Sequence, residues 1–220
     1  MSLEIRSQRR KPASNEVDYL IKSYTEGEEL PPPTGFLDML RRKGDFHEQR
    51  CLKAYKAFYP NSVLEVPDPI EGDTWESWIE RIDEMDPFDG RYDVIFQMPF
   101  KCKGMRGIAD FLIKTETKDT NGHESYTYEP VDSKLARSHA SKSHILQLLF
   151  YAEALKDRKP DLALPEKVHV ALGKAIPQGQ KPSLETFERS KYWWHWIRKR
   201  KELKRISELS DDDLKDRSSP

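Results

Sequence analysis

The sequence predicts an α/β domain in which a central mixed β-sheet is flanked by helices. Three observations indicate this class. Amphipathic helical patterns occur in the first and last parts of the chain, and apolar stretches rich in β-branched residues occur between them. Two of these stretches flank Asn121-Gly122, a dipeptide that strongly favours a β-hairpin turn. The predicted order of elements is helix, helix, strand, β-hairpin, helix, strand and helix.

Four segments have the apolar spacing of amphipathic helices. They cover residues 36–58, 73–85, 141–156 and 192–209. Pro60 helps to stop the first helix, which could also break near Gly44. Asp73 or Thr74 can cap the second helix. The third has one apolar stripe, formed by Ile145, Leu148, Leu149, Ala152 and Leu155. The last is aromatic in its first half and basic in its second half.

Four segments have the composition of β-strands. They are residues 92–100, 105–117, 126–136 and 167–175. The second and third form the arms of the hairpin around Asn121-Gly122. If the turn is centred near residue 121, facing residues have numbers that sum to about 242. This register places Asp110 opposite Asp132, with their Cβ atoms roughly 5 Å apart.

Both ends of the chain are polar. Residues 1–35 include "RSQRRK" and "PPPTG", and residues 207–220 are "SELSDDDLKDRSSP". Such segments bury little apolar surface, so they are expected to be a flexible or partly ordered extension and a polar tail. The predicted folded domain therefore covers residues 36–206.

Composition excludes several classes of protein. The formal net charge is −1, so binding to nucleic acid would need a local basic patch. The only two cysteines, Cys51 and Cys102, form no CxxC pair, which fits a reducing cytoplasm. No apolar run approaches the roughly 18 residues of a membrane span, and no membrane partner is expected. The chain has no GxxxxGK[ST] phosphate loop.

The segment "YEPVDSKLARS" carries the chemistry. Asp132 and Lys134 point to the same side of a strand because strand side chains alternate. A facing Asp110 would repel Asp132 unless a cation lies between them, and Mg²⁺ prefers such carboxylate oxygens. A metal held there could activate water for phosphodiester hydrolysis, and Lys134 could stabilise the growing charge on phosphate. The alternative is a surface ion pair worth about 0–1 kcal/mol.

Four short motifs resemble one nuclease family. "GDFHE", "GIAD", "DSK" and "QLLFY" occur in this order between about residues 44 and 156. They resemble the upstream histidine, G-x-x-D strand, D-x-K strand and Q-x-x-x-Y helix of the RecB-like branch of the PD-(D/E)XK nuclease superfamily. The resemblance implies a restriction-endonuclease-like core.

The resemblance also implies roles for individual residues. His47, Asp110 and Asp132 would be ligands of Mg²⁺ or Mn²⁺, and the Ser133 carbonyl would be a further ligand. Lys134 would be the catalytic lysine. Several relatives in this branch hold an iron–sulfur cluster with four cysteines, and two cysteines cannot do so. No such cluster is expected here.

Gln147 and Tyr151 would lie beside the site, where they would hold DNA or orient the catalytic groups. They share a helix face because they are four residues apart. A purely structural role, with the Tyr151 hydroxyl hydrogen-bonded, is an equal alternative. Arg137 follows the D-x-K strand and is expected to contact a phosphate. Glu48 is an alternative to His47 as the side chain that faces the site.

The last helix has two further candidate features. The basic run at residues 198–205 could bind a DNA backbone, although a solvated helix face is favoured. "YWWHW" at residues 192–196 could stack on bases, although packing in the core or an interface is favoured.

The expected function is metal-dependent hydrolysis of DNA by a cytoplasmic enzyme, in DNA repair, recombination or defence. DNA is the expected partner, with a helicase or a further C-terminal domain as additional partners. The alternative is a non-cleaving nucleic-acid-binding or scaffold module of a larger helicase–nuclease assembly. RNA as the substrate is a third hypothesis, because the sequence does not separate DNA from RNA.

Overall fold

A mixed β-sheet forms the middle layer of the protein. The computed structural model describes residues 3–4, 35–118, 124–136 and 139–207. The strands are β1 (Leu3–Glu4), β2 (Val63–Glu65), β3 (Val94–Cys102), β4 (Met105–Lys118), β5 (Glu124–Lys134), β6 (Lys167–Leu172) and β7 (Leu184–Glu188). The helices are α1 (Gly35–Phe58), α2 (Trp75–Asp83), α3 (Lys142–Arg158) and α4 (Arg189–Ser207). The predicted α/β class is therefore confirmed.

The six main strands follow the order β2-β3-β4-β5-β6-β7, and the short β1 pairs with β4. The β2–β3 and β5–β6 pairs are parallel, and the other pairs along this path are antiparallel. Helix α3 supplies the long connection that the parallel β5–β6 pair requires. The sheet is therefore mixed, as the sequence predicts.

The register of the long β4–β5 hairpin is also as predicted. Phe111 pairs with Val131 and Lys118 with Glu124, so the numbers of paired residues sum to 242. The Asn121-Gly122 turn itself lies outside the described residues. Most of the predicted extension (residues 1–35) and tail (residues 207–220) also lies outside them.

Two apolar clusters cover opposite faces of the sheet. The α1 cluster packs Cys51, Leu52 and Tyr55 against Val131 of β5 and Ala171 of β6, among others. The second, larger cluster contains buried residues of α2, α3 and α4. Neighbouring residues of one strand belong to different clusters, as side-chain alternation requires. The sheet is thus a layer between α1 and the other three helices.

In the middle of the sheet, the usual alternation of side chains between the two faces is interrupted, so that residues two apart on one strand point to opposite faces. On β3, Phe96 belongs to the α1 cluster, but Met98 belongs to the opposite cluster. Gln97 lies between them with a φ of 60°, a backbone conformation that is uncommon for a residue with a Cβ atom. On β4, Phe111 and Ala109 likewise belong to opposite clusters. The interruption therefore occurs at Gln97 on β3 and at Asp110 on β4, which lies between Ala109 and Phe111.

Several boundaries differ from the prediction. Helix α1 continues through Gly44 without a break, and α4 begins three residues earlier than predicted. Strands β2 and β7 were not predicted, because each is short and two of the five residues of β7 are glutamates. Thr74 is the N-cap of α2, where its hydroxyl accepts from the Ser77 amide. None of the helices in the described part of the chain is long and apolar enough to cross a membrane.

Candidate active site

The two predicted acidic residues lie where two strands separate. Pairing between β4 and β5 ends at Phe111 and Val131, although both strands continue beyond this point. From Val131 to Lys134, β5 pairs with β6 instead. Asp110 and Asp132 are the first residues beyond the last β4–β5 pair. Their side chains therefore meet at a split in the sheet, between the layer formed by α1 and the layer formed by α3.

Asp110 bridges this split. Its Oδ2 atom accepts a hydrogen bond from the Ser133 backbone amide at 2.7 Å and another from the Ser133 hydroxyl at 2.9 Å. The residue is 2% exposed. Hydrogen bonds to a charged acceptor are stronger than neutral ones, so they fix the position of this carboxylate in place of the missing strand pairing.

Asp132 and Lys134 form a buried ion pair. Lys134 Nζ donates to Asp132 Oδ1 at 2.6 Å, and the lysine and aspartate side chains are 8% and 1% exposed respectively. Burial raises the pKa of Asp132 to about 7; Lys134 opposes this shift and Asp110 adds to it. Burial alone would lower the pKa of Lys134, but the charges of Asp132, Asp110 and Glu48 raise it. The pair is therefore not the solvated surface pair that the sequence left as an alternative.

Gly173 allows β5 and β6 to approach closely beside this pair. A Cβ atom at position 173 would lie 2.8 Å from the Leu135 carbonyl carbon and closer still to its oxygen, a space that no side chain can occupy. The Gly173 amide donates to the Ala136 carbonyl oxygen at 2.9 Å. The glycine therefore fixes the backbone that directly follows Lys134.

His47 faces inward from α1. Its Nε2 atom lies 3.3 Å from the Ala171 carbonyl oxygen and 3.7 Å from Cys51 Sγ. The first contact assigns the ring proton to Nε2, because a carbonyl only accepts. Burial lowers the pKa of His47, although Asp110 acts in the opposite direction. The imidazole is thus neutral, which is the form that binds metals.

Two buried polar atoms of this site need a partner. Within the described residues, His47 Nδ1 has no hydrogen-bond partner, and Asp132 Oδ2 has none while Asp132 is ionised; a protonated Asp132 can share its proton with Asp110. An unsatisfied buried group costs about 1–3 kcal/mol. Asp110 acts on the pKa of both His47 and Asp132, so it lies near each of them. A cation bound at Asp132 Oδ2 would satisfy that atom, and carboxylate oxygens suit Mg²⁺ or Mn²⁺.

The ligand set is not closed in this conformation. In the described ranges, no three His, Cys, Asp or Glu side chains are grouped as a metal site requires. Asp110 is engaged by Ser133, and Asp132 Oδ1 by Lys134. The fit to a cation therefore depends on Asp132 Oδ2, and the Ser133 carbonyl as a ligand stays a prediction.

Gln147 and Tyr151 form a chain that ends on β4. Gln147 Nε2 donates to Tyr151 Oη at 3.1 Å, and Tyr151 Oη donates to the Ile108 carbonyl oxygen at 2.6 Å. Tyr151 is 1% exposed, and Gln147 is half-buried. The pair supports β4 two residues before Asp110. Contact of either residue with DNA stays a prediction, and Arg137 lies outside the described residues.

Glu48 also belongs to this site. It is buried, like His47, so both alternatives weighed in the sequence face inward. Gln97 Nε2 donates to Glu48 Oε1, and the Glu48 charge helps to raise the pKa of Lys134. Gln97 was not predicted as a site residue, although it is the single amide in the apolar stretch "VIFQMPF". Gln97, at which the side-chain alternation of β3 is interrupted, thus contacts a third carboxylate of the site, that of Glu48.

The start of α3 approaches the site from the other side. His144 Nδ1 accepts from the Ser141 backbone amide at 3.2 Å as part of a capping box. Burial and the nearby Lys134 lower the pKa of His144 to about 4. The imidazole is therefore neutral near pH 7, and it adds no positive charge beside Lys134.

Comparisons with known proteins do not assign the chain to a family. No model of a known protein family matches this sequence, and no curated protein matches it either.

Proposed function

We propose that this protein is a metal-dependent nuclease that hydrolyses DNA phosphodiester bonds. We further propose that it has a restriction-endonuclease-like core and belongs to the RecB-like branch of the PD-(D/E)XK superfamily. The observation that carries the proposal is the pair Asp110 and Asp132, which is buried at a strand split beside Lys134 and has one unsatisfied carboxylate oxygen. The order of motifs along the chain adds support, and a cytoplasmic location belongs to the same hypothesis.

Each residue has a role that follows from its surroundings. His47 and Asp132 would offer their unsatisfied atoms to Mg²⁺ or Mn²⁺, and Asp110 would add a carboxylate held by Ser133. The metal would supply a Lewis acid and a water of lowered pKa. Lys134 is protonated, so it can stabilise negative charge that develops on a phosphate.

The direct test is cleavage of labelled single- and double-stranded DNA with Mn²⁺. Asp132→Asn and Lys134→Met should each lower the rate by about 10²–10³-fold, because each removes one electrostatic contribution to the transition state. Glu129→Gln is the matched control, since Glu129 is a buried carboxylate on the same strand, paired with His169 at 2.8 Å. If folded wild-type protein cleaves no faster than Asp132→Asn, the isolated chain is not this nuclease.

A second measurement does not depend on cleavage. Calorimetric titration with Mn²⁺ should show binding to wild type and to Glu129→Gln, and the binding should be lost in Asp132→Asn. Equal heats for all three proteins would remove Asp132 from the metal site.

The second candidate function is a non-cleaving nucleic-acid-binding or scaffold module. The unclosed ligand set favours it, because no three potential ligands of the described residues are grouped. If this alternative is correct, DNA binding should be salt-sensitive, and neither Mn²⁺-dependent cleavage nor a heat of Mn²⁺ binding should be observed. The two tests above therefore separate the two candidates.

A further inference from the structure

Helix α4 has two chemically distinct faces. Trp196 is buried, and its indole Nε1 donates to Glu153 Oε2 of α3 at 2.9 Å. Trp193, Ile197 and Leu203 are partly buried against the same cluster. These residues recur at helical spacing and attach one face of α4 to the body of the domain. The opposite face is therefore left to solvent.

The solvent-exposed face carries five residues at alternating spacings of three and four. They are Lys191, Trp194, Arg198, Lys201 and Arg205, and all of them are exposed. This spacing aligns them in one row along the helix, which we call the basic face. At 1.5 Å per residue, the row is about 21 Å long. It combines four cations with one large aromatic ring.

The basic face concentrates positive charge in a chain that has almost no net charge. Residues 189–205 contain eight Lys or Arg and a single acid, Glu202, whereas the whole chain has a net charge of −1. The ion pairs recorded within the described part of α4 involve Lys191, Lys199 and Arg200. None of them uses the three remaining cations of the basic face. The helix thus supplies the local basic patch that binding to a polyanion requires.

Trp194 adds an exposed aromatic ring to this charged surface, on which a nucleic-acid base could stack. It is 80% exposed, whereas Trp196 two residues later is 2% exposed. An exposed indole between cations matches the two recurring parts of single-stranded nucleic acid, which are a charged backbone and unpaired bases. A duplex keeps its bases stacked inside, so it would contact the cations and leave the indole unused.

We propose that the basic face binds single-stranded DNA, with the cations on phosphates and Trp194 stacked on a base. The assignment of DNA as the ligand rests on the proposed nuclease function. Helix α4 is attached to α3 through Glu153, and α3 carries Gln147 towards the candidate site. Helix α4 therefore packs on the helix that borders the acidic residues.

The main test compares two triple variants in EDTA, where no metal-dependent cleavage occurs. Fluorescence anisotropy with labelled oligo(dT) would be measured across a range of salt concentrations. Replacing Arg198, Lys201 and Arg205 by alanine should reduce the slope of log affinity against log salt by about 2, since each phosphate contact contributes about 0.7. The control replaces Lys53, Lys118 and Lys167, which are exposed on other elements, and should keep the wild-type slope. Equal slopes for both triple variants would overturn the proposal.

Trp194 is tested separately because the cations alone would also give salt-dependent binding. Trp194→Ala should weaken binding to oligo(dT) on the order of tenfold, and Trp194→Phe should recover most of the loss, because a ring can still stack. Unchanged affinity in Trp194→Ala would overturn the stacking part. If the basic-face variant loses binding only to anionic vesicles and keeps oligo(dT) binding, the surface binds membranes and the proposal fails.

The two proposals can fail independently. If wild type binds oligo(dT) through the basic face but never cleaves DNA with Mn²⁺, the basic face stands and the nuclease fails. If wild type cleaves and the basic-face variant binds and cleaves like its control, the nuclease stands and the basic face fails.

Discussion

Ser133 donates two hydrogen bonds to one carboxylate oxygen of Asp110, from its amide at 2.7 Å and from its hydroxyl at 2.9 Å. These bonds join β5 to β4 just beyond the point where their backbone pairing ends. Hydrogen bonds to a side chain thus replace the backbone pairing of the two strands here. They align Ser133, the middle residue of the D-x-K motif, with Asp110 of the facing strand. Ser133 is therefore a positioning residue whatever its carbonyl binds.

Ser133→Ala should destabilise the protein by about 1–2 kcal/mol. It removes the hydroxyl donor to a charged acceptor and leaves the amide donor in place. Urea unfolding followed by circular dichroism would measure the change. Ser125→Ala, on the same strand but near the hairpin end, is the control and should change stability by less than about 0.5 kcal/mol. Equal midpoints for the two variants would mean that the hydroxyl does not stabilise the split.

Gln97 has a φ of 60° and donates to Glu48, and two substitutions separate these properties. Gln97→Gly and Gln97→Ala both remove the amide, but only glycine accepts positive φ without strain. We expect the glycine variant to be more stable than the alanine variant by about 1 kcal/mol. An ordinary strand position gives the opposite order, because glycine weakens strands.

Thermal unfolding of both variants would test this order. The matched control position is Ile95, which also lies in β3 but has no positive φ. There, Ile95→Gly should be less stable than Ile95→Ala. If Gln97→Gly is likewise less stable than Gln97→Ala, the backbone at position 97 is not strained.

The register of the hairpin could be predicted because it depends on local turn chemistry. A turn centred near residue 121 makes the numbers of facing residues sum to about 242, and the structure pairs Phe111 with Val131, which gives that sum. The register placed Asp110 next to Asp132. The burial of Asp132 could not be predicted, because the local sequence does not reveal which other side chains cover this residue.

Other features depend on contacts between distant segments. The interruption at Gln97 arises where β3 meets β4 and α1, and the single amide in this apolar stretch does not by itself reveal it. In α4, the near-consecutive Trp193, Trp194 and Trp196 point in different directions around the helix. Packing on α3 decides that Trp196 is buried and Trp194 exposed, so Trp196 packs in the core as favoured and Trp194 lies outside the core. Packing of Trp194 in an interface stays a prediction.

The raised pKa of Asp132 predicts a specific pH dependence of stability without metal. An unfolded aspartate has a pKa of about 3.9. Between that value and about 7, the folded protein holds a proton that the unfolded chain releases. The contribution of Asp132 to the free energy of unfolding is therefore full below pH 4 and is lost as the pH rises through 7, by up to about 4 kcal/mol.

Subtraction of the Asp132→Asn variant isolates this contribution, since other titrating groups are common to both proteins. Urea unfolding in EDTA at pH 4.5, 6 and 8 would give the difference between wild type and variant. We expect wild type to lose stability relative to Asp132→Asn across this series. A difference that is constant with pH would show that Asp132 is ionised throughout.

Glu153 is a buried carboxylate that holds α4 on the domain. It accepts from Trp196 Nε1 at 2.9 Å and from Lys103 Nζ at 2.5 Å, and it also pairs with Arg200. Glu153→Ala removes the acceptor for all three donors and should cost about 2–3 kcal/mol, mainly through the buried indole N–H. Lys103 is about half exposed, so water can replace part of its lost contact. Glu153→Gln keeps one oxygen acceptor and should cost about half as much.

Urea unfolding would measure the free energy of unfolding of both variants. The control is Glu202→Ala, because Glu202 is an exposed acid that forms an ion pair within α4. If Glu153→Ala is no less stable than Glu202→Ala, Glu153 does not attach α4 to α3.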